Sequence, residues 1–233
     1  MEKWFVELHG DLRELECWRQ QFPAHGDPYI SDFTVPSGDA GTKQVCGIYY
    51  SEFGRMDETS ALHATATKLF AEMKGWVITA GGWTNDNQES RIGAVFRLGE
   101  DGRYSGHYLV EVNAIVLQIS GHRAVVSVDG EVKRDAPKPT RGQSILSSDD
   151  DNLKAALRYI AATTGGDWNQ LYRAFDAVGK VEGLRAGGVP RQDAVRLAQT
   201  FSLHRKHQSL PLDGEPMPFH EARSLILQAV RNR

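Results

Sequence analysis

Residues 166–178 read GDWNQLYRAFDAV, and this stretch indicates how the C-terminal third of the chain folds. Asp167 stands where a helix N-cap is expected, and Gln170 follows three residues later, as in a capping box. From Trp168 to Phe175, apolar residues then recur at helical spacing. Because helices in proteins are stabilised mainly by burying such a stripe, we expect this helix, Trp168 included, to pack in a core.

Similar patterns on either side predict three more helices. One follows the Ser and Asp residues 147–151, which suit a helix N-terminus. A third begins after Pro190, which is tolerated at a first helical position. A fourth starts near Phe219. The apolar residues expected to face inward are Leu153, Ala156, Leu157 and Ile160 in the first, Val195, Leu197, Ala198 and Phe201 in the third, and Ala222, Leu225, Ile226, Ala229 and Val230 in the fourth. The glycine-rich residues 179–188 are predicted to be a loop, and residues 149–233 a small helical bundle.

The first 132 residues show a different pattern. Short stretches that alternate between apolar and polar residues predict strands, and longer stretches with helical periodicity predict helices. The strands are expected near residues 4–8, 29–35, 44–50, 76–78, 91–98 and 104–119, with a further short hairpin at 125–132, and the helices at 11–22 and 56–74. This order predicts an α+β fold, with a mainly antiparallel sheet that has helices on one face and is followed by the helical bundle.

Residues 133–148 separate the two patterns. They contain Pro137, Pro139 and Gly142 and little apolar content, which is typical of a linker. We therefore predict a sheet domain at 1–132, a linker at 133–148 and a helical domain at 149–233.

Composition narrows the classes of protein to consider. The net charge is −3, but residues 151–233 carry 12 Lys and Arg against 8 Asp and Glu, so the helical part is mildly basic. A basic surface favours partners that bear phosphate, but a solvated mixed surface explains so small an excess better. With two cysteines, no apolar run long enough for a membrane span and no signal-peptide pattern, the chain is expected to be cytoplasmic. No cofactor is predicted.

The densest group of charged residues follows the third predicted helix. His204, Arg205 and His207 are candidate catalytic residues, because an imidazole exchanges protons near neutral pH and a guanidinium holds a phosphate or carboxylate. Lys206 stands between them. The candidate binding residues are Arg196, Lys206 and Arg223. The alternative is a solvated basic helix end, where the helix dipole favours cations. Two histidines alone do not make a zinc site, so no metal is expected.

Three runs in the helical part resemble a widespread bacterial family of uncharacterised proteins. They are ALR at 156–158, GDWNQLYR at 166–173 and PMPFHEAR at 216–223. The helical part is also similar to HEPN-type bundles, some of which are metal-independent ribonucleases that use an Arg followed a few residues later by a His. Here seven residues separate Arg196 from His204, and one separates Arg205 from His207, so the spacing departs from that motif.

Two functions remain open on the sequence alone. The first is a bacterial cytosolic binding or interaction protein without a catalytic motif, with a protein partner and a role in a defence or stress pathway. The alternative is a metal-independent endoribonuclease or RNA-binding protein that uses the Arg/His turn of a HEPN-like helical domain.

Overall fold

The computed structural model describes residues 3–36, 41–56, 58–81, 90–98, 103–108, 117–123, 138–204 and 215–233. The chain divides into two compact units, which comprise Met1–Phe70 with Glu89–Ser148 and Ala71–Gln88 with Asp149–Arg233. The predicted α+β class, with an antiparallel sheet followed by helices, is confirmed. Within the described ranges, no helix has both the length and the apolar character needed to cross a membrane.

The first unit is built on a six-stranded antiparallel sheet. Its order is β2-β3-β1-β4-β5-β6. The strands are β1 Lys3–His9, β2 Tyr29–Pro36, β3 Thr42–Tyr49, β4 Arg91–Leu98, β5 Arg103–Tyr108 and β6 Leu117–Arg123. Phe5 lies at the centre of one face, stacked on Phe33 at 3.9 Å and on Phe96 at 5.2 Å between ring centroids. The buried residues packed with Phe5 in this core are Val35, Val45, Ala94 and Phe96. The predicted hairpin at 125–132 lies outside the described residues.

Helix α1 (Leu12–Gln21) begins where the sequence predicts. The Asp11 carboxylate accepts the backbone N–H groups of Arg13 at 2.8 Å and Glu14 at 2.9 Å, which satisfies two donors of the first turn. Trp18 is fully buried and stacks on Phe70 at 5.4 Å. A short 3₁₀ helix, Ser51–Arg55, leads from β3 to the next helix.

Helix α2 (Thr59–Gly81) is longer than predicted. The sequence suggested a helix end at Gly75 and a strand at Trp76-Val77-Ile78, and that prediction is wrong. These three residues are buried in the last two turns of α2. The prediction failed because a short apolar run fits a helix buried on all sides as well as it fits a strand. Gly75 is needed for packing, because a Cβ atom there would collide with the backbone of Leu157.

Part of the predicted linker is ordered. Helix α3 (Arg141–Leu146) lies within it and starts with a capping box between Thr140 and Gln143. The Gln143 side chain is fully buried, and its amide nitrogen donates to the carbonyls of Pro23 at 2.8 Å and Pro28 at 3.0 Å. Residues 140–148 therefore belong to the first unit, and the prediction of a linker is wrong for this part. The proline and glycine content suggested a linker, but side chains hold the helix in place. Besides Gln143, the Thr140 hydroxyl donates to the carbonyl of Gln21 at 2.6 Å and the Ser147 hydroxyl to that of Asp27 at 2.7 Å.

Among its described residues, the second unit contains five further helices, whereas the sequence predicted four. They are α4 Asp151–Ala162, α5 Trp168–Ala177, α6 Lys180–Ala186, α7 Arg191–His204 and α8 Phe219–Asn232. Helix α6 replaces the loop predicted at 179–188. Gly183, which suggested a loop, is buried inside α6, where a Cβ atom would collide with the carbonyl of Val178. The missing side chain at Gly183 thus permits close packing against Val178 rather than a turn.

Candidate functional site

Three candidate residues of the sequence analysis lie among the described residues, Arg196 and His204 on α7 and Arg223 on α8. Helix α7 begins after Pro190, whose carbonyl accepts the N–H of Ala194 at 3.0 Å. Its buried residues are Ala194, Leu197, Thr200 and Phe201. The prediction that Val195 faces the core is wrong, since 37% of its surface is exposed. The polar Thr200 occupies a core position instead, so the buried face of α7 lies closer to Thr200 than the predicted stripe does.

Two hydrogen bonds explain how the polar side chain of Thr200 is accommodated in the core. Its hydroxyl donates to the carbonyl of Arg196 at 2.9 Å and accepts the N–H of Met217 at 3.0 Å. Met217 is itself buried. Thr200 therefore fixes the Pro-Met segment that precedes α8. The sequence analysis did not include it among the core residues of this helix because it is polar.

His204 lies on an aromatic surface. Its ring stacks on Trp168, with 4.2 Å between centroids and 18° between planes. Trp168 also meets the edges of Phe201 at 5.7 Å and Phe219 at 5.3 Å. The tryptophan is half-buried rather than fully buried, and His204 is exposed. The position of the imidazole is thus set by its packing on Trp168.

Arg196 is held by neighbours within the bundle. Its Nη1 lies 3.2 Å from the carboxylate of Glu221, and its Nε donates to the carbonyl of Glu215 at 3.2 Å. His204 lies eight positions further along α7, or about 12 Å along the helix axis. The structure does not bring these two side chains together on one phosphate-sized ligand. Arg223 is half-buried on α8.

Arg205, Lys206 and His207 lie outside the described residues. The predicted catalytic set is therefore represented in the structure by His204 alone. Arg196, one of the residues predicted to bind a ligand, is paired with Glu221. The chemistry assigned to this turn stays a prediction.

The outer face of α7 carries a feature that the sequence analysis missed. Five residues without charge lie within an arc of about 100° on this helix. They are Gln192, Val195, Gln199, Ser202 and Leu203. We call them the α7 face. Val195 and Leu203 are 37% and 44% exposed, and the only other large hydrophobic side chain exposed to this degree among the described residues is Leu12.

A groove runs along the first half of the α7 face. Its volume is about 850 Å³. The lining residues among those described are Pro190, Arg191, Gln192, Asp193, Val195, Arg196 and Gln199. The groove is therefore lined by uncharged side chains of the α7 face and by charged side chains at its rim. The signal in the sequence was the four-residue spacing of Val195, Gln199 and Leu203, of which only Val195 was assigned to the predicted core stripe.

The first unit contains a second group of charged side chains. Glu7 is buried, and its carboxylate accepts the N–H of Ala94 at 3.3 Å. His9 Nε2 lies 3.4 Å from one oxygen and Lys43 Nζ 3.5 Å from the other. The pair Gly93-Ala94 forms a β-bulge opposite Glu7, and the missing side chain at Gly93 leaves room for the His9 ring. The carboxylate is thus neutralised in place, which accounts for its burial.

The two cysteines are free thiols. Burial raises the pKa of Cys46 to about 11, and burial together with the nearby Glu14 raises the pKa of Cys17. Since the thiolate is the nucleophilic form, neither group is activated at neutral pH. The described part of the chain also contains no cluster of three or more His, Cys, Asp or Glu side chains that could hold a metal ion.

Comparison with family models, curated proteins and solved structures finds no match for this chain. Its function is therefore inferred from the residues above.

Proposed function

We propose that this protein is a binding protein that docks a protein partner through the α7 face. The observation that supports it is the exposure of Val195 and Leu203 on one uncharged helix face beside an open groove. The cores of protein interfaces are depleted of charged residues, and their rims are polar. The α7 face has this composition, with Arg191 and Asp193 at the edge of its groove.

A helix face of this kind suits a particular mode of recognition. Val195, Gln199 and Leu203 are four residues apart and form one ridge along the helix surface. Such ridges fit the grooves between side chains of another helix. We therefore propose a helix as the element of the partner that contacts this protein. The setting that we propose is the bacterial cytoplasm, which agrees with two unpaired cysteines.

The nuclease alternative is less well supported. It requires a cationic side chain and an imidazole on the same phosphate, whereas Arg196 is paired with Glu221 and His204 is stacked on Trp168. It still rests on Arg205 and His207. Incubation of the purified protein with RNA in the presence of EDTA tests it, with the double variant Arg205→Ala/His207→Ala as the control. We expect no cleavage by either protein, and cleavage by the wild type alone would restore this alternative.

Site-specific photo-crosslinking tests the docking proposal. A photoreactive amino acid at Leu203 should form a protein adduct in the cell, whereas the same group at the exposed Asn169 of α5 should not. The captured protein is then purified and titrated against the wild type and Val195→Glu. Since central interface residues cost more than about 1 kcal/mol when altered, we expect the substitution to weaken binding about tenfold or more. Equal crosslinking from both positions, or equal affinity for both proteins, contradicts the proposal.

A further inference from the structure

We draw no further inference here: the strongest candidate, the buried Glu7 carboxylate with His9 and Lys43 beside it on the sheet of the first unit, is accounted for by those two side chains and by the N–H of Ala94, and nothing among the described residues shows what ligand would bind there.

Discussion

Gln143→Ala is the substitution that most sharply tests the architecture of the first unit. The side chain is fully buried and holds α3 against the turn after α1. Its amide nitrogen donates to Pro23 at 2.8 Å and Pro28 at 3.0 Å, and its oxygen accepts the N–H of Thr140 at 3.0 Å. The Pro23 carbonyl keeps a second bond from Gly26 at 3.3 Å. Truncation therefore leaves two backbone groups without their partners.

Each buried polar group left unpaired costs about 1–3 kcal/mol, so with two such groups we expect Gln143→Ala to lower the free energy of unfolding by about 2–6 kcal/mol. For a chain of this length, each kcal/mol lowers the melting temperature by about 2–4 °C. The control is Ser144→Ala, an exposed position on the same helix, which should cost less than about 0.5 kcal/mol.

Trypsin provides an independent measurement. Arg141 is exposed but lies in the first turn of α3, so cleavage after it should be slow in the wild type and in Ser144→Ala, and fast in Gln143→Ala. If the two alanine variants are equally stable and are cut equally slowly, the buried amide does not anchor α3 and the reasoning is refuted.

Three further predictions follow from packing and ionisation. Gly75→Ala should destabilise the protein by about 1–3 kcal/mol, because the added methyl group meets the backbone of Leu157; an unchanged chemical-denaturation midpoint would count against that contact. Trp168→Ala should lower the free energy of unfolding by about 2–3 kcal/mol in the same assay, less than the roughly 3–5 kcal/mol of a fully buried aromatic side chain, because the ring is half-buried. A loss of about 5 kcal/mol would show that the ring is more buried than described. Burial raises the pKa of Cys46 to about 11, so the unfolded thiol ionises first and stability should fall by up to about 3 kcal/mol from pH 8 to 11. Cys46→Ala should lack this part of the pH dependence, and identical profiles would contradict it.

Local signals in the sequence predicted most helix and strand positions of the first unit. Asp11 before α1 and Asp167 before α5 act as the caps that their chemistry suggests. The misassignments share a physical cause, which is that packing overrode local residue type. Trp76 is helical because α2 is buried on all sides there, and Gly183 is helical because its missing side chain leaves room for the carbonyl of Val178, five residues earlier.

The candidate site was only partly predictable for a related reason. The aromatic stripe predicted a core position for Trp168, which is half-buried, and the stacking of His204 on it depends on how α5 and α7 pack. The direction in which Val195 points depends on Thr200, whose burial requires a hydrogen bond from Met217. Glu7 and His9 share a face of β1 because they are two residues apart, but the room for the His9 ring comes from the β-bulge at Gly93 in the facing strand. Side-chain orientation and register of this kind cannot be derived from periodicity alone.

The most direct test of the central claim is the accessibility of the α7 face in the cell. Leu203→Cys and Asn169→Cys place a thiol at two exposed positions, in a chain whose own cysteines are partly or fully buried. Labelling by a membrane-permeant maleimide is compared between the purified protein at low concentration and the cell that produces it. Docking through the α7 face predicts that the thiol at position 203 is labelled at least about tenfold more slowly in the cell, as a site bound nine-tenths of the time would be, while that at position 169 is not protected. Equal labelling rates at the two positions in the cell would contradict the claim.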